Sequence, residues 1–225
     1  MTSLPLYEIA IDGFAVVEGV IDADEQRELC MVLGTNGEPG RRGLLAEPTI
    51  ASWARSARLL DLVRPHLGSE PLPVRGIFFD KSPETNWLVP WHQDLTLALH
   101  DRVDVPGFGP WSIKDGIPHV HAPVEFLQQM LTVRLHLDET DATNGALRVL
   151  PGSHRMGRLP ADRIQGLHAR QSEYLCAVSA GDAVLMRPLL LHASSRSTSP
   201  RHRRVLHIEY AGCELPGGLQ WHEAA

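Results

Sequence analysis

From Met130 to Leu137 the chain alternates without a break. Leu131, Val133, Leu135 and Leu137 leave one face of an extended strand, and Thr132, Arg134, His136 and Asp138 leave the other. A period of two over this length argues against an amphipathic helix and calls for a sheet whose two faces differ in chemistry. The same texture of short apolar or alternating runs, punctuated by Gly, Pro and Asn, begins after Pro73. Val74 to Phe79, Leu88 to Leu97, Ala146 to Leu150, Tyr174 to Val178, Ala183 to Leu191 and Val205 to Ala211 each read as strands. Asn144-Gly145 tolerates positive φ and reads as a hairpin turn leading into Ala146. About eight strands with polar turns imply a jelly roll, a closed double sheet around a cavity.

Helical patterns precede this region. A strand over Gly13 to Ile21 is followed by a helix that Asp22 or Asp24 can cap, carrying Leu29, Val32 and Leu33, with the breakers of Gly34 to Arg42 behind it. Ile50 to Leu67 reads as a second helix stopped by Gly68. The fold class is therefore mainly β with flanking helices, and 225 residues with 43% hydrophobic side chains suffice for one domain with a substantial core. Residues 1–72 form the N-terminal strand and support helices, residues 73–212 the jelly-roll core, and residues 99–125 a Pro- and Gly-rich insert expected to be a lid-like loop rather than strand.

The net charge of -6 speaks against nucleic acid as a partner, and Arg201-His202-Arg203-Arg204 is too short a run to reverse that. Cys30, Cys176 and Cys213 lack CxxC spacing and read as free thiols of a cytoplasmic protein. Met1 to Gly13 carries Glu8 and Asp12 and no long apolar run, so neither a signal peptide nor a membrane span is expected. Oligomeric state is not legible.

Two-residue spacing supplies candidate metal ligands. On a strand, His92 and Asp94 leave the same face, where an imidazole nitrogen and a carboxylate oxygen can meet one ion. Non-haem iron oxygenases hold Fe(II) with two histidines and one carboxylate, so a distant histidine is required. Spacing alone does not single out this pair. His136/Asp138 and His207/Glu209 share it, and His119/His121 form a further i,i+2 pair.

His92-Gln93-Asp94, then Asn144-Gly145-Ala146-Leu147-Arg148-Val149-Leu150-Pro151-Gly152-Ser153-His154, then Gly181-Asp182 leading to His192, resembles the phytanoyl-CoA dioxygenase family over about Phe78 to Tyr210. The resemblance implies a double-stranded β-helix of cupin-like form that uses Fe(II), 2-oxoglutarate and O2. It assigns His92, Asp94 and His192 as metal ligands, Arg203 as the cation for the distal carboxylate of 2-oxoglutarate, and Ser194 as its assisting hydroxyl. Arg134 stands where the family's name-giving members have an aromatic residue near the co-substrate, and its direction is open between cavity and solvent. Lys81, Gln93 and Trp111 are weaker pocket candidates. Arg102, Trp111, Lys114, His119 and His121 of the insert are the expected substrate contacts.

The reaction implied is hydroxylation of a C–H bond of a small molecule with release of succinate and CO2. Related halogenases replace the ligand carboxylate with a small residue, so Asp94 favours the hydroxylase. Two alternatives use the same ligands without 2-oxoglutarate turnover, a jelly-roll sensor or binding protein and a cupin-type isomerase or hydrolase.

Overall fold

The computed structural model describes residues 7–35 and 40–224. Residues 1–6 and the 36–39 portion of the Gly34 to Arg42 breaker stretch lie outside the described residues.

In chain order the strands are β1 (Phe14–Val17), β2 (Arg41–Arg42), β3 (Leu72–Lys81), β4 (Val89–His92), β5 (Thr96–Ala98), β6 (Trp111–Lys114) and β7 (Ile117–His121). They continue as β8 (Met130–His136), β9 (Leu147–Val149), β10 (Tyr174–Cys176), β11 (Ala183–Met186), β12 (His192–Ser194) and β13 (Arg203–Ala211). The helices are α1 (Ile9–Asp12), α2 (Ala23–Leu33), α3 (Pro48–Ala54), α4 (Ala57–Val63), α5 (Val124–Leu127) and α6 (Ala161–His168). A six-stranded sheet, β1-β11-β8-β13-β3-β2, faces a four-stranded sheet, β10-β9-β12-β4, and a third sheet, β5-β7-β6, adjoins them. This is the jelly roll with flanking helices that the strand pattern implies.

Alternation on the long strands divides the six-stranded sheet into two environments. Leu131, Val133 and Leu135 of β8 and Leu206, Ile208 and Tyr210 of β13 pack outward with Leu29, Leu33, Ile50, Leu59 and Val63 of α2 to α4 in one apolar cluster. Each such side chain contributes roughly 1.5–3 kcal/mol when fully buried, so this layer is what clamps the helices to the sheet. The Tyr210 hydroxyl donates to the Ala54 carbonyl at 2.9 Å and fixes α3. The opposite pleat of the same strands carries Arg134, Arg203, His207 and Glu209 inward to a cavity.

Asp22 caps α2 as expected, in a capping box with Glu25. Elsewhere local chemistry departs from the sequence expectations. Ile50 to Leu67 is two helices, because Ser56 accepts from the Leu59 amide and starts α4 anew, and the helical stretch gives way at Arg64-Pro65-His66 before reaching Gly68. Ala183 to Leu191 keeps strand geometry only to Met186. Leu88 to Leu97 is likewise not one strand, since β4 and β5 belong to different sheets with Gln93, Asp94 and Leu95 in the bend between.

The two turn expectations exchange places. Asn144-Gly145 does not close a hairpin, because β8 lies in the six-stranded sheet and β9 in the four-stranded one. The turn carries the chain between sheets, held by the Asn144 side chain, which accepts from the Asp141 amide and donates to the Glu139 carbonyl. The insert, in contrast, contains strands β6 and β7, joined through Asp115 (φ 52°) and Gly116 (φ 77°). Asp-Gly is the turn that the twist of a two-residue hairpin demands. Burial of Leu97, Val120 and Phe126 in a second apolar cluster outweighs the prolines, and Pro118 still accepts from the Leu99 amide at 2.9 Å.

Gly145 (φ 75°) is packed so closely that a Cβ there would lie 2.5 Å from the Ser195 carbonyl oxygen. Gly145→Ala is therefore expected to destabilise the fold by about 1–3 kcal/mol, through backbone strain together with the clash. Urea unfolding measures this, and a change below about 0.5 kcal/mol, the level of an ordinary surface substitution, would contradict the close approach.

Candidate metal centre and cavity

His92 ends β4 and His192 begins β12, and antiparallel pairing sets them directly opposite each other. Asp94 follows in the bend after β4, its amide donating to the Pro188 carbonyl at 2.8 Å. His92 Nε2 lies 3.6 Å from Asp94 Oδ1 and His192 Nε2 lies 3.6 Å from Asp94 Oδ2. Among the described residues this is the cluster whose three donor atoms fall within 4.8 Å of one another.

The tautomers are set by the backbone. His92 Nδ1 lies 2.8 Å from the Pro90 carbonyl and His192 Nδ1 lies 2.9 Å from the Leu190 carbonyl. A carbonyl only accepts, so both Nδ1 atoms carry the proton and both Nε2 lone pairs face the centre of the triad. Burial, reinforced by His92, pushes His192 down to about 3, which keeps it neutral at physiological pH. Burial alone would raise Asp94, but the facing His192 and His92 hold it down to about 2. Two imidazole nitrogens and one carboxylate are a donor set that suits a divalent first-row ion.

The triad opens into a cavity of about 420 Å³. Arg203, Arg134 and Ser194 line it, so Arg134 points inward. Arg203 donates to the Gly145 carbonyl at 3.0 Å, while Nε of both Arg203 and Arg134 is buried without a partner. Burial and then the charge of Arg134 push Arg203 down to about 9. Ser194 donates to the Gly145 carbonyl at 2.8 Å and accepts from Lys81 Nζ at 2.9 Å. Buried guanidinium donors left unpaired beside a metal-type triad fit a bound carboxylate.

The other candidates divide. Lys114 and His121 line the cavity. Lys81 is fully buried behind Ser194 and does not line it. Gln93 borders the cavity, but its carboxamide is engaged by the Gly157 and Leu189 carbonyls and the Leu159 amide. His119 is buried outside the cavity wall, 3.5 Å from Arg75. Arg102 and Trp111 line a separate groove on the outside of the insert, with the guanidinium 5.9 Å from the indole. Of the insert's candidates, Trp111, His119 and Arg102 therefore lie off the triad cavity, while Lys114 and His121 face it.

The rival pairs also have places. Arg134 donates to His207 Nδ1 at 2.9 Å, leaving His207 Nε2–H to face Glu209 at 3.4 Å, and Glu209 pairs with Arg75 at 3.2 Å. This chain of polar side chains crosses β8, β13 and β3 beneath the triad. Asp138 is turned away to Arg204 in a two-pronged pair at 2.7 and 2.9 Å. Arg42 and Arg75 were not among the sequence candidates, and His207 and Glu209 were weighed only as a rival ligand pair, although alternation from Arg203 through Val205 puts both on the cavity pleat.

A mainly antiparallel jelly roll whose cavity brings two histidines and a carboxylate together has the architecture of the non-haem iron oxygenases. The phytanoyl-CoA dioxygenase (PhyH) family profile matches residues 36–205, and the chain belongs to that family. A probable alpha-ketoglutarate-dependent hypophosphite dioxygenase of Stutzerimonas stutzeri is 27% identical over 184 residues, which is 73% of this chain and 54% of the relative. The chain thus spans about half the length of that curated relative. EctD from S. alaskensis, crystallised with 2-oxoglutarate and 5-hydroxyectoine, superposes with a TM-score of 0.70 at 20% identity over 90% of this chain and 73% of its own. HygX from Streptomyces hygroscopicus, with nickel and 2-oxoglutarate bound, gives 0.67 at 20% identity over 94% and 86%.

Lys81 supplies a pH test of the cavity wall. Burial first, then the charges of Arg203 and Arg134, push it from the ordinary 10.5 down to about 7. Below about 7 both folded and unfolded chains hold the proton and the penalty is complete. Between about 7 and 10.5 only the unfolded chain holds it, so stability rises with pH. Lys81→Met should remove a slope of up to about 1.4 kcal/mol per pH unit, seen by comparing urea unfolding of parent and variant across this range. Parallel pH profiles would contradict the buried cation.

Proposed function

We propose that the chain is an Fe(II)- and 2-oxoglutarate-dependent oxygenase that hydroxylates a C–H bond of a small molecule. The observation that carries this is the coexistence, in one cavity, of the His92, Asp94, His192 triad with the buried and incompletely paired guanidinium of Arg203. His92, Asp94 and His192 would hold the iron, and Arg203 with Ser194 would hold the distal carboxylate of 2-oxoglutarate. Bound together, iron, 2-oxoglutarate and O2 supply an oxidation that releases succinate and CO2 as the substrate gains a hydroxyl group.

The remaining work belongs to the protein. The Pro90 and Leu190 carbonyls orient the two imidazoles, so both ligand lone pairs are aimed before the metal arrives. Gly145 offers one carbonyl to both Arg203 and Ser194, which sets guanidinium and hydroxyl side by side. Apolar Ile77, Phe79 and Leu147 line the same cavity and reduce the water around the reacting groups. The carboxylate of Asp94 fills the position that a halogenase leaves open, which favours hydroxylation. The three enclosing sheets are read as one catalytic unit. No helix among the described residues is long and apolar enough to cross a membrane, and the three cysteines are free, which supports a cytoplasmic setting.

A second outcome is favoured by the Stutzerimonas relative, whose name carries hypophosphite and hence oxidation at P–H rather than C–H. In this chain that outcome would use the same triad and co-substrate.

With Fe(II), ascorbate and O2, the parent chain should release succinate from 2-oxoglutarate even without a primary substrate. Arg203→Gln should weaken 2-oxoglutarate binding by roughly 10- to 100-fold while sparing the metal, as expected for loss of a charge-assisted pair. Calorimetry on the Ni(II)-loaded protein reads both affinities. Folded, iron-loaded protein that releases no succinate would contradict the activity, and greater sensitivity at Arg134 would transfer the anchoring role to it.

A further inference from the structure

The cavity holds more positive charge than iron and 2-oxoglutarate account for. Arg42, Arg75, Lys114, Arg134 and Arg203 line it, against Asp94 and Glu209 as the lining carboxylates, within a chain whose overall charge is -6. A divalent cation and a doubly charged keto acid cancel each other. The excess of positive charge therefore persists in the loaded cavity.

These cations form two groups along the β13–β3 pair, where Arg203 lies opposite Lys81 at one end and Glu209 lies opposite Arg75 towards the other. Arg203 and Arg134 act on each other's side of the cavity, with Lys81 behind them. Lys114 is pushed down by burial and by the charges of Arg75 and Arg42, and Asp94 and Glu209 act on it in the opposite direction. Asp94 feels Arg75, and Arg134 in turn feels Asp94. A keto acid anchored at Arg203 would occupy the first group and leave Arg42, Arg75 and Lys114 with protein partners alone.

That second group is assembled from three separate segments. Arg42 comes from β2, Arg75 from β3 and Lys114 from β6, beside the Asp115-Gly116 turn. Arg42 and Asp115 form an exposed pair at 2.7 Å that ties the insert to the six-stranded sheet, and Arg75 pairs with Glu209 at 3.2 Å. Among the described residues, Lys114 donates to the Thr96 hydroxyl alone, at 3.4 Å. His121 also lines this wall, and its buried Nδ1 has no partner. Like charges brought together from three elements repel one another, and an anion seated between them reverses the sign of that interaction.

We infer that Arg42, Arg75 and Lys114 form a second anion subsite, towards the other end of the β13–β3 pair from Arg203, which holds an oxyanion group of the primary substrate, a carboxylate or a phosphorus oxyanion. This inference rests on the oxygenase reading for the role of the anion as substrate. It does not rest on it for the existence of the subsite. The subsite places the anionic head of a small substrate at the cavity mouth, where the exposed Lys114 and Arg42 can capture it, with Arg75 buried beneath.

The test is a calorimetric titration of the full chain, loaded with Zn(II) and 2-oxoglutarate at fixed ionic strength, with acetate, inorganic phosphate and neutral glycerol. The titration is repeated without metal and keto acid. Acetate or phosphate is expected to bind saturably and glycerol not to bind. Lys114→Gln and Arg42→Gln should each weaken the anion by about tenfold with 2-oxoglutarate affinity unchanged, as expected for loss of one charge-assisted contact. Tighter acetate identifies a carboxylate head and tighter phosphate a phosphorus oxyanion, and either supports the subsite. Anion binding that is lost in Arg203→Gln but kept in the two rim variants, or no saturable binding in the folded protein, overturns it. If 2-oxoglutarate itself fails to bind while the rim still takes an anion with the same variant sensitivity, the oxygenase reading falls and the subsite stands.

Discussion

Arg203 reaches one carbonyl, that of Gly145 at 3.0 Å, and is otherwise a buried cation whose Nε has no partner. Burying a charge without a counter-ion is among the most unfavourable things a fold can do, and Arg134 stands beside it under the same condition. Much of the structure can be understood as support for this arrangement. Beyond Arg204, the outward pleat of β8 and β13 carries Leu131, Val133, Leu135, Leu206, Ile208 and Tyr210 and clamps α2 to α4, and that burial offsets what the inward pleat of the same strands costs. A carboxylate entering the cavity would convert the unfavourable burial into a charge-assisted contact. Stability foregone in the free protein thus reappears as affinity.

The metal-type triad is positioned by different means, almost entirely backbone. Pairing of β4 with β12 sets the two histidines opposite each other, and two carbonyls choose their tautomers. Asp94 is placed by the bend that ends β4 and by the hydrogen bond that its backbone N–H donates to the Pro188 carbonyl. Side-chain chemistry enters one layer further out. The series Arg134, His207, Glu209 and Arg75 runs beneath the triad, Arg134 donating to His207 while His207 and Arg75 both face Glu209. It links the co-substrate side of the cavity to the rim formed by Arg42 and Lys114.

Strands with long, clean alternation were legible, because both faces of β8 and β13 are buried against chemically different neighbours. The capped start of α2 was legible because Asp22 satisfies amides within one turn, and the structure adds Glu25 as the other half of a capping box. Features that depend on which sheet a strand joins were not. Asn144-Gly145 has hairpin chemistry yet spans two sheets, and the Pro-rich insert hides a true hairpin whose signal was Asp115-Gly116. The triad emerged from family resemblance rather than spacing, because three other i,i+2 pairs compete with His92 and Asp94. Arg42 and Arg75 could not be found at all without the fold. They meet Lys114 only because β2, β3 and β6 come together at the rim.

The most direct measurement of the central claim is anaerobic. Fe(II) added to the folded protein, followed by 2-oxoglutarate, should produce the weak visible charge-transfer absorption of a metal-bound keto acid, saturating at one equivalent of iron, and Asp94→Ala should diminish it. A folded protein that takes up iron yet shows no such band, at any concentration of 2-oxoglutarate, would contradict the account.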